Sequence, residues 1–146
     1  MSLVRRIAIA LVASVGLLLA SVVTASAATG GVPFTVELTG EAEVGQGDLD
    51  GSGTAHLTVN PGTGEVCWTI EVTGVEPITA AHIHKAPSTT NGPVVVPFEP
   101  DYSAGCTKVS RELALDIVLH PSSYYVNVHN ADFPAPLGAL RGQLSR

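Results

Sequence analysis

Residues 54–72 read TAHLTVNPGTGEVCWTIEV and predict two β-strands joined by a tight turn. Apolar and polar residues alternate on both sides of the turn, which is the pattern of strands with one buried face. The central NPGTG at 60–64 combines residue types that favour turns. Because so short a connection joins adjacent antiparallel strands, the stretch predicts a hairpin of 54–59 with 65–72 and an all-β fold class.

Five further runs rich in β-branched and aromatic residues lie outside the hairpin, separated by glycine, proline, asparagine and aspartate. We predict these strands at 34–38, 78–84, 93–98, 124–129 and 139–144. Ser110 is the expected N-cap of one short helix over 111–119, which ends before Pro121. Seven short strands with one short helix predict an all-β, Greek-key β-sandwich, the architecture of immunoglobulin-like domains.

The first 27 residues have the three parts of a secretory signal peptide. Two arginines precede an apolar run at 7–20, and small residues follow it up to the Ala-Ser-Ala of 25–27. The apolar run is shorter than the ~20 residues that a membrane-spanning helix needs. We therefore predict cleavage before Ala28, which leaves a secreted domain of residues 28–146 with no membrane span.

The charge balance limits the classes of partner. The chain has 7 basic and 13 acidic residues, a formal net charge of −6 at pH 7. Two of the basic residues fall within the predicted signal peptide, so the remaining domain is more acidic still. Nucleic acids and anionic lipids are bound through clusters of lysine and arginine, and the basic residues here are scattered. We therefore expect neither as a partner.

Cys67 and Cys106 are the two cysteines of the chain. In an oxidising compartment such a pair predicts one disulfide, whereas a reactive thiol or a cysteine metal ligand would need a partner motif that neither residue has. Closing the loop between them stabilises the fold by roughly 4 kcal/mol in the chain-entropy model. No nucleophile motif, carboxylate pair or phosphate-binding loop is present, so the sequence predicts no catalytic residues.

His82 and His84 are the most informative polar pair. Residues i and i+2 of a strand point to the same face, so the two imidazoles lie side by side and form a chelate suited to copper or zinc. His129 ends another predicted strand and is the candidate third ligand. Metal binding should weaken as the pH falls through about 6.5, where histidine becomes protonated. The alternative is that these histidines are structural hydrogen-bonding groups, as many buried imidazoles are.

Four further segments carry a family resemblance. They read AAHIH at 80–84, NGPVVVP at 91–97, YVNVHN at 125–130 and LRGQL at 140–144. Together with the GSGTA of 51–55 and the NPGTG turn, they resemble, in this order, the CHRD domain, which is named for chordin. The resemblance covers nearly all of residues 28–146. It implies an extracellular binding or interaction module with an unknown partner and no defined enzymatic activity.

A fainter resemblance leads to copper/zinc superoxide dismutase, another Greek-key sandwich. His82, His84, His129 and Arg141 occur in the same order as three copper ligands and the substrate-guiding arginine of that enzyme. The chain departs from it because no histidine lies between residues 85 and 119, where the bridging ligand and the zinc loop would be. The likeness therefore implies a superoxide dismutase-like fold in which metal binding is compatible and dismutation is not expected.

Three functional hypotheses follow, in decreasing order of preference. The first is a non-catalytic extracellular interaction module, the second a copper- or zinc-binding protein, and the third a superoxide dismutase-like enzyme. For Arg141 we expect a structural role, because it is isolated from other basic residues near the last strand. Its planar guanidinium should donate hydrogen bonds to backbone carbonyls or a carboxylate and thereby hold that strand.

Overall fold

The structure is a computed structural model that describes residues 30–146, so the predicted signal peptide and its cleavage site lie outside the described residues. Eight strands and one α-helix make up this part of the chain, and a 3-10 turn at Pro121–Ser123 leads into the seventh strand. The elements are β1 (Val32–Thr39), β2 (Ser52–Asn60), β3 (Glu65–Thr73), β4 (Ala80–Lys85), β5 (Val94–Pro97), β6 (Ala104–Lys108), α1 (Arg111–Leu119), β7 (Tyr124–His129) and β8 (Leu140–Gln143). The all-β prediction with one short helix is confirmed. No helix within residues 30–146 is long and apolar enough to cross a membrane.

The strands form one antiparallel sheet in the order β5-β4-β7-β8-β1-β2-β3-β6. Phe98 follows β5 and Trp68 lies on β3, yet their rings stack with centroids 4.5 Å apart. Neighbouring strands are about 4.8 Å apart, so this contact requires the sheet to fold over itself. The layers β5-β4-β7-β8 and β1-β2-β3-β6 enclose one apolar core, as a sandwich does. Unlike two separate sheets, they remain joined where Thr39 of β1 pairs with Arg141 of β8.

The chain crosses between the layers after β3, after β5 and again through α1. Helix α1 begins where predicted, because the Ser110 hydroxyl accepts a hydrogen bond from the backbone N–H of Leu113 at 3.1 Å. Its buried face, which includes Ala114 and Ile117, packs into the core. The capping signal in the sequence therefore predicted the helix correctly.

Strand β6 is the element that the sequence did not predict. Its sequence, AGCTK, has small residues where a strand usually has branched or aromatic ones. A Cβ atom at Gly105 would lie 2.8 Å from the Trp68 ring, so the glycine makes room for the indole that covers it. Cys106 pairs directly with Cys67 of β3, and the predicted disulfide joins them.

Strand β7 is buried on both faces. All six residues of β7 are buried, and its alternate residues Val126 and Val128 face the apolar core. The opposite face is polar and runs across three strands in two rows. His82, Asn127 and Arg141 form one row, and His84, Tyr125 and Gln143 form the other. Loops 40–51, 86–93 and 130–139 cover this face and enclose the candidate site.

The disulfide gives a direct test of the fold. Replacing both cysteines by alanine should lower the free energy of unfolding by up to roughly 4 kcal/mol, because the unfolded chain regains the entropy of an open loop. Chemical denaturation measures this loss, and the wild-type protein in reductant should match the double variant. Equal stability of oxidised wild type and double variant would contradict the assignment.

Candidate metal centre

His82, His84 and His129 lie together on the polar face. One ring nitrogen from each comes within 4.8 Å of the other two, and the ring of His82 is 5.5 Å from that of His84 and 5.3 Å from that of His129. Nitrogens bound to one metal ion at 2.0–2.1 Å are at most about 4 Å apart. The widest separation in the cluster therefore exceeds this limit by at most about 0.8 Å, which is the closing movement that a shared metal ion would require. The structure thus brings together the three histidines that the sequence predicted as metal ligands.

The strand register explains this convergence. His82 and His84 are two residues apart on β4 and so share a face. On β7, His129 pairs with Ala80 and Asn127 pairs with His82. Directly paired residues of antiparallel strands also share a face, which places His129 diagonally across from His82 on that same face.

Two backbone carbonyls fix the tautomers of the His84 and His129 rings. The Nδ1 atom of His84 lies 2.9 Å from the Gly92 carbonyl oxygen, and Nδ1 of His129 lies 2.6 Å from that of Leu137. A carbonyl oxygen can only accept, so each Nδ1 carries the proton and donates it. The Nε2 atom of each ring is left with a free lone pair, and protein metal sites orient their histidine ligands in the same way.

Two ring nitrogens in the site are buried without a hydrogen-bond partner. Across residues 30–146, the buried side-chain nitrogen and oxygen atoms that lack a partner are Nδ1 of His82 and Nε2 of His84. Leaving a buried polar atom unsatisfied costs about 1–3 kcal/mol, so such atoms need an explanation. A metal ion between the rings would satisfy both atoms, and the residues present therefore fit one.

The surroundings of His82 and His84 favour the neutral form of these two rings. Burial, together with the smaller effects of the neighbouring His129 and His84, lowers the pKa of His82 from its ordinary 6.5 to about 4. Burial also lowers the pKa of His84, although its bond to Gly92 partly opposes this shift. A neutral imidazole is the form that binds metal, so the folded protein presents these ligands ready for binding.

A cavity of about 190 Å³ adjoins the three rings and is lined by Glu43 and Asn127 among others. The Asn127 side-chain amide donates to the Glu43 carboxylate and, at 2.9 Å, to the Leu140 carbonyl. Burial raises the pKa of Glu43, while the Asn127 hydrogen bond and the charge of Arg141 oppose that shift. The cavity leaves space beside the rings for a further, external ligand that would face this carboxyl group.

Glu43 is the member of the site that sequence reasoning missed, because it lies in a loop and belongs to no motif. One weak indication of this contact in the sequence is the glycine at position 138. A Cβ atom there would lie 2.2 Å from both Asn127 Nδ2 and Glu43 Oε1, so any larger residue would require this hydrogen-bonded pair to shift. Nothing in the sequence connects residues 43, 127 and 138 before the fold is known.

Arg141 is buried, with 1% of its surface exposed. Its Nη2 donates to the carbonyls of Pro87 at 2.9 Å and Thr90 at 3.1 Å, and its Nη1 donates to Asn91 Oδ1 at 3.0 Å. The expected bonds to carbonyls are therefore present, but they hold the loop 86–92 as well as the last strand. A guanidinium engaged in this way does not fit the substrate-guiding role that the dismutase resemblance implied.

The other histidines of the chain lie outside this site. His56 Nδ1 contacts the Thr35 hydroxyl at 3.2 Å, and His120 Nδ1 contacts Asp116 at 2.8 Å. His120 is exposed and follows helix α1, which makes it a suitable control for substitutions in the cluster.

The lowered pKa of His82 predicts a pH dependence for the metal-free protein. The ring has a pKa of about 4 in the folded state and an ordinary value of 6.5 when unfolded. Between these values the unfolded state binds more protons, so stability is full above pH 6.5 and falls as the pH drops to about 4. His84, His129 and Glu43 share the site, and His84 acts in the same direction.

Denaturation in a chelator at pH 7.5 and pH 5 measures this loss, which His82→Gln should reduce. Asp116 does not confound the comparison, because Lys85 lowers the pKa of that carboxyl and its effect lies below pH 3.8. An identical loss of stability in wild type and His82→Gln would contradict the assignment.

Comparison with known proteins identifies the family. The family model described as the CHRD domain matches residues 34–144, which is most of the chain. The matched range contains Arg141 and the three histidines of the candidate site. Neither the curated proteins nor the solved structures give a significant match. The chain therefore belongs to the CHRD domain family.

Proposed function

We propose that this CHRD-family protein is exported and binds a copper or zinc ion through His82, His84 and His129. One observation carries the proposal: two ring nitrogens are buried without partners in a cluster whose three histidines each bring one ring nitrogen within 4.8 Å of the others. Leaving two buried ring nitrogens without a partner costs stability, whereas a shared metal ion would turn a free lone pair on each ring into a bond.

The donor set defines the class of metal. Three neutral imidazoles suit copper and zinc, whereas magnesium and calcium prefer oxygen ligands. For a given set of nitrogen ligands, Cu²⁺ binds more tightly than Zn²⁺ in the general affinity order of these ions. We therefore expect both ions to bind and copper to bind more tightly.

Metal binding is compatible with the interaction-module hypothesis, since a bound ion can serve a non-catalytic protein. Dismutation remains outside the proposal for two reasons. The chain has no histidine between residues 85 and 119 to bridge a second metal, and the guanidinium of Arg141 is buried and bonded to a loop. An assay of superoxide dismutation on the copper-loaded protein should therefore give no activity above that of free copper.

The central test is a competition titration of purified wild-type protein with Cu²⁺ and Zn²⁺ against a chelator of known affinity. His84→Ala should weaken binding by more than about a hundredfold, because changing even an outer partner of a ligand costs about 10–100-fold. His120→Ala is the matched control and should bind as wild type does. Absence of stoichiometric binding by wild type, or equal binding by His84→Ala, would refute the proposal.

Export is supported by the signal-like first 27 residues and by the Cys67–Cys106 disulfide, which is typical of oxidising compartments. The intact mass of the protein recovered outside the cytoplasm should correspond to residues 28–146 with both cysteines oxidised. A mass that still includes Arg5 and Arg6 would contradict cleavage before Ala28.

A further inference from the structure

Arg141, Tyr125 and His84 form a stack of three planar groups. The guanidinium carbon of Arg141 lies 3.5 Å from the centroid of the Tyr125 ring. The ring of His84 also stacks on Tyr125, at an interplanar angle of 10° and a centroid separation of 4.8 Å. Contacts between a cation and an aromatic face are attractive and strengthen when water is excluded. Both Arg141 and Tyr125 are almost fully buried.

A second connection between the same residues runs through the loop 86–92. Arg141 donates to the carbonyls of Pro87 and Thr90 and to the side chain of Asn91. The next residue, Gly92, accepts a hydrogen bond from His84 Nδ1 and donates its N–H to the Tyr125 hydroxyl at 3.2 Å. The Arg141 guanidinium thus holds the loop, and the loop carries the Gly92 carbonyl that fixes the tautomer of His84.

The close approach of this loop to β4 depends on its glycine. A Cβ atom at Gly92 would lie 2.0 Å from the Lys85 carbonyl oxygen. Because the backbone of residue 92 passes so near the strand, its carbonyl reaches the imidazole of His84. A small displacement of the loop would lengthen that bond and release the ring.

We propose that Arg141 is a positioning residue for the metal centre, which it serves by holding the ring and tautomer of His84 through Tyr125 and Gly92. This inference rests on the proposed function for its metal-binding consequence. Its structural consequence, a fixed Nδ1–H tautomer of His84, holds in the metal-free protein as well.

Arginine suits this task because one planar group makes several bonds at once. Its fork reaches three acceptors on the loop while its face lies on the Tyr125 ring. Lysine offers a compact ammonium that cannot stack and bond in the same geometry. The loop also has an independent attachment, because Gln143 Nε2 donates to the carbonyls of Ala86 and Ser122. The loop therefore keeps this attachment, and the bond of Gly92 to the Tyr125 hydroxyl, when Arg141 is replaced.

The experiment compares Arg141→Lys with Arg111→Lys, which is the matched control. Arg111 also donates to a loop carbonyl, that of Pro61 at 3.2 Å, but contacts no residue of the histidine site. Two quantities are measured: the tautomer of His84 in the metal-free protein by nitrogen-15 NMR of the imidazole, and the affinity for Cu²⁺ and Zn²⁺ by chelator competition. A merely structural role for Arg141 would change thermal stability and leave both quantities unchanged.

Wild type and Arg111→Lys should show the pure Nδ1–H tautomer of His84. Arg141→Lys should show a mixture of tautomers and a metal affinity reduced about 10–100-fold, the range for lost outer partners of metal ligands. A folded Arg141→Lys protein with the wild-type tautomer and affinity would overturn the inference.

Two further variants keep the test decisive if Arg141→Lys does not fold. Asn91→Ala removes one acceptor of the guanidinium at an exposed position, and Tyr125→Phe keeps the stacked ring but removes the hydroxyl that Gly92 contacts. Both should shift the His84 tautomer in the same direction by a smaller amount, and wild-type spectra for both would overturn the inference. If wild type binds no metal, the proposed function fails while the tautomer measurement still tests the positioning role.

Discussion

The polar groups buried on the second face of β7 impose the constraint on which the site depends. A sheet layer with water on one side needs nothing to cover its polar face. Here, however, loops bury one histidine and the asparagine, tyrosine and arginine side chains, and they partly cover two further histidines. Each buried donor and acceptor must then find a partner within the protein. The loops meet most of this requirement with carbonyls, such as those of Gly92 and Leu137. Two imidazole nitrogens remain unsatisfied, and they belong to two of the three histidines that we propose as metal ligands.

The same constraint gives the loops their roles. Loop 40–51 brings Glu43 to Asn127, loop 86–93 brings its carbonyls to Arg141 and His84, and loop 130–139 brings the Leu137 carbonyl to His129. Glycines allow the closest of these approaches, at positions 92 and 138. The site therefore results from three loops closing over a sheet, whose register places the three histidines on one face.

The sequence predicted those parts of the molecule that follow from local patterns. Alternation and turn residues located seven strands, and Ser110 located the helix. The i, i+2 spacing of His82 and His84 placed both rings on one face. Strand β6 was not predicted because Gly105 and its neighbours have no strand-like pattern. The reason for a glycine there is the Trp68 ring, which stacks on Phe98 and lies against Gly105, and this contact is known only from the folded structure. The place of Glu43 in the site and the bonds of Arg141 to the loop were not predicted, because they depend on contacts between residues 50 or more positions apart.

X-ray absorption spectroscopy of the metal-loaded protein tests the central claim most directly, since it reports the atoms bound to the ion itself. For wild type we predict three imidazole nitrogens at about 2.0–2.1 Å. His120→Ala should give the same spectrum, and His84→Ala should lose one imidazole from the fit. A spectrum dominated by oxygen ligands, or one in which His84→Ala leaves the imidazole count unchanged, would contradict the account.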